Sequence, residues 1–302
     1  MNSRLPRFKR ASAIVFMHLT ERDREIVRLV YRHRFLHSSH IVALLGGSQQ
    51  QLLRRLKLLY HHGYLERPRA QLQYYERGGS KSIAYGLGNK GGVLLKQEHG
   101  ISVSPDSWSE KNHLIGQIYL EHALLVSDVM VTIEIACRKR GDIRLLYEDE
   151  IALPQNIRQL FRWSVKIQNG WKLGVIPDRV FALESHDASG NSQRAYFFLE
   201  ADRGTMPVTR RTLSQTSFYR KLLAYEATWT QNLHRRYFGF HRFRVLTVTT
   251  SVARVNSLVD ACSQLKRGRG LFLFADQTIL SDDIFSSKWQ SGKVGETGSL
   301  LN

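Results

Sequence analysis

The stretch VIPDRVFALESHDASGNSQRAYFFLEADRGT, residues 175–205, decides the architecture of the second half of the chain. Apolar residues alternate on either side of a segment rich in Asp, Ser, Gly and Asn, which predicts two strands joined by a turn. If the turn is centred on its Ser-Gly step, antiparallel pairing brings Asp178 opposite residue 201, within the usual register slip. Glu200 and Asp202 share one strand face. The pattern therefore predicts three carboxylates at one end of a sheet.

Carboxylates gathered in this way can hold a divalent cation, Mg²⁺ or Mn²⁺, which activates water and neutralises charge during phosphodiester hydrolysis. Asp178, Glu200 and Asp202 are therefore candidate catalytic and metal-binding residues. The competing interpretation is a set of ordinary ion pairs with neighbouring arginines, which is the commoner role of such acids. Crowded carboxylates need a cation of one kind or the other, because they raise one another's pKa values.

The whole chain is strongly basic. Its 302 residues carry 44 Lys and Arg against 26 Asp and Glu, a formal net charge of +18, and 42% of them are hydrophobic. That hydrophobic fraction supports packed cores in two domains, and the charge, most of which lies in the first third, favours a polyanionic partner. Double-stranded DNA is the leading partner. An anionic membrane is the second candidate. No stretch reaches transmembrane length, and we expect DNA and not a membrane as the partner.

The two cysteines, Cys137 and Cys262, are far apart and form no CxxC or Cys/His spacing. Neither a zinc site nor a disulfide framework is therefore indicated. The apolar run near the N-terminus is short and leads directly into charged residues, so a secretory signal is not predicted. We expect a reducing, cytoplasmic location.

The first third of the chain predicts a domain of three helices and a hairpin. A capping box at Thr20 and Asp23 begins the first helix, and Ser38 or Ser39 caps a short second one. A third helix runs from about residue 48 to Gly63, and its polar stripe, opposite a stripe of leucines, consists of Gln50, Arg54, Lys57 and His61.

The runs that follow predict a β-hairpin with a basic tip at Arg77 and Lys81. Three helices and such a hairpin describe a winged helix-turn-helix, whose third helix enters the DNA major groove. The polar stripe and the basic tip are therefore the predicted DNA contacts. A merely solvated helix face would show the same stripe, and some winged helices bind protein instead.

The remainder predicts an α/β sandwich with a mixed central sheet, so the fold class is α+β or α/β. A long helix at about residues 110–140 carries Glu121 and Asp128, which we expect to approach the strand-end acids as further metal ligands. Strands, two hairpins and alternating helices and strands follow. The predicted divisions are a basic arm at 1–18, a winged helix at 19–104, a nuclease-like domain at 105–282 and a flexible tail at 283–302.

The element order of the second domain, with the Pro-Asp step at Asp178 and the acid at Glu200, resembles the PD-(D/E)xK nuclease fold. That resemblance implies a lysine two residues after the glutamate, where it orients and activates water. Asp202 holds this position instead. Either a base comes from elsewhere, with Lys221 and Arg203 as candidates, or the site no longer cuts.

More narrowly, the chain resembles the replication-relaxation family of plasmid and mobile-element proteins. Six segments occur in the expected order: LTERDREIVRLVYRHRFL, RRLKLLYHHGYLER, AYGLGNKG, LEHALLVSDV, PDRVFAL and FFLEADRGT. The resemblance spans most of the chain. It implies relaxase or replication proteins as partners besides DNA, and a homodimer stays open.

Two functions therefore compete. The first is a DNA-binding protein of plasmid or mobile-element replication and relaxation, whose nuclease-like domain is inactive or structural. The second is a magnesium-dependent nickase or endonuclease targeted by the winged helix. A transcriptional regulator alone would leave the second domain without a role. The missing lysine favours the first function.

Overall fold

The computed structural model describes residues 7–11, 16–72, 82–101, 108–154, 161–167, 170–186, 192–281 and 283–301. The chain forms two compact units, Met1–Val131 and Thr132–Asn302. The division falls later than the boundary predicted near residue 105, and the segment predicted as the linker, residues 102–107, lies outside the described residues. Mixed α+β structure is confirmed in both units.

The N-terminal unit contains helices and a small sheet. Its elements are α1 (Glu21–His33), β1 (Phe35–His37), α2 (Ser38–Leu45), α3 (Gln49–His62), β2 (Leu65–Glu66), β3 (Ala84–Leu87), α4 (Asn89–His99), α5 (Trp108–Leu114) and the first half of α6 (Gln117–Arg140). The three strands are antiparallel in the order β1-β3-β2.

The predicted helix ends of this unit are mostly confirmed. Thr20 and Asp23 form the capping box of α1, Ser48 caps α3, and Gly63 ends α3 in the left-handed conformation. The second helix differs by one residue, because His37 is its N-cap and neither serine is.

Helices α5 and α6 extend the N-terminal unit beyond residue 105. The Asn112 amide donates to the Leu87 carbonyl at 2.7 Å, and the Ser127 hydroxyl donates to the Phe35 carbonyl at 2.6 Å. Leu120 and Leu124 pack in one cluster with Phe35. These contacts place the start of the predicted long helix in the N-terminal unit, although the sequence analysis assigned it to the second domain. The predicted single helix is two helices, because residues 115–116 are not helical.

Close backbone packing explains three glycines around the start of α4. A Cβ at Gly88 would overlap the carbonyl oxygen of Gly63, and one at Gly91 would overlap that of Tyr64. A Cβ at Gly86 would crowd the Phe35 ring. The turn between α3 and β2 therefore lies directly against the β3–α4 connection, and no side chain fits between them.

The C-terminal unit is built on a seven-stranded mixed sheet. Besides the end of α6, its elements are β4 (Ile143–Tyr147), β5 (Trp163–Lys166), β6 (Lys172–Val175), β7 (Arg179–His186), β8 (Ser192–Ala201), α7 (Phe218–Thr230), α8 (Leu233–Phe238), β9 (Arg244–Thr249), α9 (Val252–Ser263), β10 (Phe272–Asp276), β11 (Trp289–Ser291) and β12 (Thr297–Gly298). The order is β12-β11-β10-β9-β8-β7-β4, and β5 and β6 form a separate hairpin.

Both faces of this sheet are apolar, since consecutive residues of its central strands, such as Phe197 and Phe198, are buried. Strands β8, β9 and β10 are parallel, as their connections through helices require. Residues of α7, α9 and the β5–β6 hairpin join Phe198 and Val245 in the main core. The two paired strands predicted within residues 175–205 are confirmed, with Arg179 opposite Leu199. The predicted turn, residues 187–191, lies outside the described residues.

The C-terminal segment corrects another prediction. Residues 283–302 were expected to be a flexible tail, yet they supply β11 and β12, and β11 pairs with β10. Ile284, Trp289 and Leu300 are buried. Their apolar side chains complete the unit instead of remaining in solvent.

Candidate functional site: acids at the end of the central strands

The candidate site lies where β7 begins and β8 ends. Because Arg179 pairs with Leu199, the preceding residue, Asp178, lies opposite Glu200, one position from the predicted register. The Ala201 N–H donates to Asp178 Oδ2 at 2.7 Å, and the Asp178 N–H donates to the Leu199 carbonyl at 3.0 Å. The structure therefore brings Asp178 and Glu200 together across the strand pair.

Glu200 is fully enclosed, with 1% of its surface exposed. Its Oε2 lies 2.5 Å from the Lys221 ammonium, and its Oε1 accepts a hydrogen bond from the Tyr225 hydroxyl at 2.6 Å. Lys221 and Tyr225 are one turn apart on α7 and so reach the same carboxylate. Each oxygen of Glu200 has its own donor.

Burial and charge act against each other at this carboxylate. Burial raises the pKa of Glu200, and the nearby Lys221 offsets part of that rise. Burial also lowers the pKa of Lys221, but the charges of Glu200 and Asp178 outweigh it and raise that pKa. Burial beside Glu200 raises the pKa of Tyr225 well above its ordinary value. Lys221 and Tyr225 therefore both donate to Glu200, and the charge of Lys221 is the main influence that opposes the effect of burial on the pKa of Glu200.

Asp202 has a different set of partners. Arg254 donates from Nε to Oδ2 at 2.8 Å and from Nη2 to Oδ1 at 3.2 Å. The Thr249 hydroxyl donates to Oδ2 at 2.7 Å, and the Gly204 N–H donates to Oδ1 at 3.2 Å. Asp202 therefore connects the end of β8 to β9 through Thr249, and to the first turn of α9 through a bidentate ion pair with Arg254.

As arranged, these acids do not fit a divalent cation. The described residues contain no group of three or more His, Cys, Asp or Glu side chains that could hold a metal ion. Lys221 and Tyr225 donate hydrogen bonds to the two carboxylate oxygens of Glu200, and Arg254 pairs with the carboxylate of Asp202. A metal would have to displace at least one cation from these oxygens.

The two acids predicted to approach from the long helix have partners in the N-terminal unit. Asp128 pairs with His40 Nε2 at 2.8 Å. Glu121 accepts a hydrogen bond from the Gln117 amide at 2.7 Å. Their metal-binding role stays a prediction.

Helix α3 presents only part of the predicted DNA-contacting stripe to solvent. Gln50 and Arg54 are exposed, and Lys57 is partly exposed. His61 is buried instead, with 2% of its surface accessible. Arg77 and Lys81, the predicted hairpin tip, lie outside the described residues.

The N-terminal arm explains the burial of His61. The Ala11 N–H donates to His61 Nδ1 at 3.2 Å, and Arg10 Nε donates to the Tyr60 carbonyl at 3.1 Å. Burial, together with nearby cations such as Arg67, lowers the pKa of His61 to about 4. A segment about fifty residues earlier therefore covers the last turn of α3, which a helical wheel of α3 alone does not show.

Sequence reasoning missed two residues that shape the site. Tyr225 follows Lys221 at i+4 on α7, so its position on the same helix face was a usable signal. Arg254 lies 52 residues from Asp202 on another helix, and nothing local to either residue indicated the pair.

The fold and the site define a two-unit α+β protein with a basic N-terminal unit and an acid cluster at the end of the central strands. The Replication-relaxation family model matches residues 27–241, and the chain belongs to that family. No curated protein and no solved structure matches the chain. Among the described residues, no helix is both long and apolar enough to cross a membrane.

Proposed function

We propose that the chain is a sequence-directed DNA-binding protein that acts in the replication and relaxation of plasmids or other mobile elements. The observation that carries the proposal is the outer face of α3. Gln50 and Arg54 are exposed there, Lys57 is partly exposed, and no ion pair joins either cation to another described residue. Cations left without acidic partners on a helix of a protein with net charge +18 suit DNA phosphates and bases.

The order of elements in the N-terminal unit supports a winged helix. Helices α1, α2 and α3 precede the antiparallel pair β2 and β3, and the segment between those strands carries Arg77 and Lys81. In such a domain the third helix enters the major groove and the hairpin contacts the backbone. As further partners we propose relaxase or replication proteins and a second copy of the chain. The proposed location of the protein is the cytoplasm.

Replacing Arg54 and Lys57 together with alanine is expected to weaken binding to duplex DNA and to flatten its salt dependence. The slope of log affinity against log salt should fall by about 0.9 for each lost phosphate contact. Fluorescence anisotropy of a labelled duplex over a series of salt concentrations measures both quantities.

The matched control removes two exposed cations from other helices of the same unit, Arg32 on α1 and Lys96 on α4. The control variant should bind almost as the wild type does. If the α3 variant keeps the affinity and slope of the wild type, the winged-helix proposal fails.

For the C-terminal unit we propose a nuclease-like domain that does not cut DNA. In the sheet, β4, β7 and β8 are antiparallel neighbours and β9 is parallel to β8. The β5–β6 hairpin lies between β4 and β7 in the chain, and α7 and α8 lie between β8 and β9. This order supports the PD-(D/E)xK resemblance. Lys221 supplies the positive charge beside Glu200 that a metal ion would otherwise supply. Asp202, which replaces the expected lysine, is held by Arg254.

A second candidate function is a metal-dependent nickase. The observation in its favour is that Asp178, Glu200 and Lys221 come together although the lysine is on a helix and not on the strand. Cutting would require Lys221 to leave Glu200 when substrate and metal bind.

Two measurements distinguish the two candidate functions: nicking of supercoiled plasmid, and the melting temperature with and without a divalent metal ion. We expect neither nicking nor a rise in melting temperature when Mg²⁺ or Mn²⁺ is added to the wild type. We expect Lys221→Met to gain a Mn²⁺-dependent rise in melting temperature, because it removes the cation that pairs with Glu200 opposite Asp178. The substitution Asp178→Ala, made in the wild type and in Lys221→Met, is the control, because it removes one of the two carboxylates. Nicking by the wild type, with a metal-dependent rise that disappears in Asp178→Ala, would establish the nickase instead.

A further inference from the structure

The described part of the N-terminal arm, residues 7–11, lies on the end of the polar stripe of α3. We call these five residues the arm segment. The Ala11 N–H donates to His61 Nδ1, so the arm segment covers the last residue of the stripe. Lys57, one turn before His61, is still partly exposed. Beyond Lys57 the arm segment, and not α3 itself, therefore continues the surface that we propose to contact DNA.

Contacts at both ends fix the arm segment. Arg10 Nε donates to the Tyr60 carbonyl at 3.1 Å, and the same guanidinium pairs with Glu66, whose side chain is only 2% exposed. At the other end, Arg67 donates to the Arg7 carbonyl. The segment is therefore attached to the end of α3 and to the residues of β2 and just after it.

The arm segment adds positive charge to a region that is already basic. Burial, and then the charges of Arg67, Lys57 and Arg10, lower the pKa of His61 to about 4, which places three cations near one neutral imidazole. In the part of the chain that the structure describes, only Glu66 pairs with any of the three. Like charges brought together repel one another, and a polyanion bound across them removes that cost.

Lys9 is the residue of the arm segment best placed for a phosphate contact. It is exposed, and no acidic side chain of the described residues pairs with it. It is two residues from Ala11, at most about 7 Å of extended chain. Lys57 is about 6 Å from His61 along α3. Because Ala11 and His61 are hydrogen-bonded, both lysines are attached close to the same histidine.

We propose that the arm segment is part of the duplex-DNA interface and that Lys9 contacts a phosphate next to those contacted by Arg54 and Lys57. Continuity with the exposed face of α3 selects the occupant, since one duplex lies along both. A segment that blocked α3 by imitating DNA would have to be acidic, and this one is basic. The inference deepens the proposed function and rests on α3 as the DNA-contacting helix.

Lys9→Ala is expected to weaken binding of a labelled duplex to the full chain and to lower the salt slope by about 0.9, the contribution of one phosphate contact. Anisotropy over a salt series measures both quantities. The melting temperature should not change, because the side chain is exposed. The matched control is Lys96→Ala, which removes an exposed lysine of α4 and should bind as the wild type does.

Glu66→Met tests whether the docked position of the arm segment matters. The variant raises the net charge by one, so a simple charge effect would strengthen DNA binding. We expect weaker binding instead, because Arg10 loses its carboxylate and the arm segment leaves α3. Hydrogen exchange of the peptide that contains residues 7–11 should become faster. Adding Lys9→Ala to Glu66→Met should then cost less affinity than Lys9→Ala costs in the wild type.

Three results would overturn the inference: wild-type affinity and slope in Lys9→Ala, an equal loss in Lys96→Ala, or tighter duplex binding by Glu66→Met after the arm segment is released. Lys9→Ala decides the matter alone if Glu66→Met does not fold. Unchanged binding in Arg54→Ala/Lys57→Ala would contradict the proposed function itself. A loss in that variant with none in Lys9→Ala would contradict only the role of the arm segment.

Discussion

Replacing Arg254 with methionine is expected to lower the free energy of unfolding by about 3 to 5 kcal/mol, because it leaves the carboxylate of Asp202 buried without its cation. The side chain of Asp202 is only 4% exposed and that of Arg254 is 15% exposed, so solvent does little to replace the lost charge. Urea unfolding followed by circular dichroism measures the change.

A second substitution in the same protein checks the cause. Asp202→Asn with Arg254→Met should be more stable than Arg254→Met alone, because the unpaired charge is gone. Arg144→Met is the matched control, since that arginine is 64% exposed and its pair with Glu150 contributes less than about 1 kcal/mol. A loss at Arg254 no larger than the control would mean that Asp202 is not held by this pair. Recovery of Arg254→Met by Mg²⁺ would point to a metal-binding Asp202.

Asp23→Ala is expected to destabilise the N-terminal unit by about 3 kcal/mol or more, through the loss of a helix cap and of a buried ion pair. Asp23 is fully buried, accepts from the Thr20 N–H at 2.7 Å and pairs with Arg55 of α3. It therefore links the start of α1 to the helix proposed to contact DNA. Chemical denaturation of the full chain, with Glu21→Ala as an exposed control in the same turn, tests this effect.

The same residue predicts a pH dependence. Burial alone would raise the pKa of Asp23, but hydrogen bonds from Arg55 and Thr20 outweigh it and hold that pKa below the ordinary value of 3.8. A lowered folded-state pKa stabilises the protein fully above the unfolded value, and the contribution is lost as pH falls through the folded value. The stability advantage of the wild type over Asp23→Asn should therefore be constant at neutral pH and shrink below about 3.8. An advantage that grows on acidification would contradict the assignment.

Features encoded within a few residues could be predicted from the sequence. The capping box at Thr20, the end of α3 at Gly63 and the two paired strands within residues 175–205 depend on local chemistry, and all three occur. The register of those two strands differs from the prediction by one residue, since His186 lies opposite Ser192 and Asp178 therefore lies opposite Glu200. The meeting of Asp178 and Glu200 follows from the same local pattern.

Features that depend on distant segments could not be predicted. His61 matched the polar stripe of α3 by spacing, but Ala11 of the arm covers it. From the sequence Asp202 is a candidate metal ligand, because the arginine that pairs with it, Arg254, is on the distant helix α9. The segment that includes Trp289 looked like a tail because its strands are very short, and only the edge of an existing sheet makes them strands.

The close packing of glycines at the start of α4 bears on how such chains are recognised. Residues 86–91 read Gly-Leu-Gly-Asn-Lys-Gly between a strand and a helix, which matches the fingerprint used to find dinucleotide-binding proteins. In those proteins the first N–H groups of the helix face a pyrophosphate. Here the Gly88 N–H donates to the Tyr64 carbonyl at 2.9 Å and the Lys90 N–H to the Gly63 carbonyl at 3.1 Å. The chain's own backbone occupies the position of the anion, so a nicotinamide or flavin cofactor assigned to this chain on that fingerprint would be a false positive.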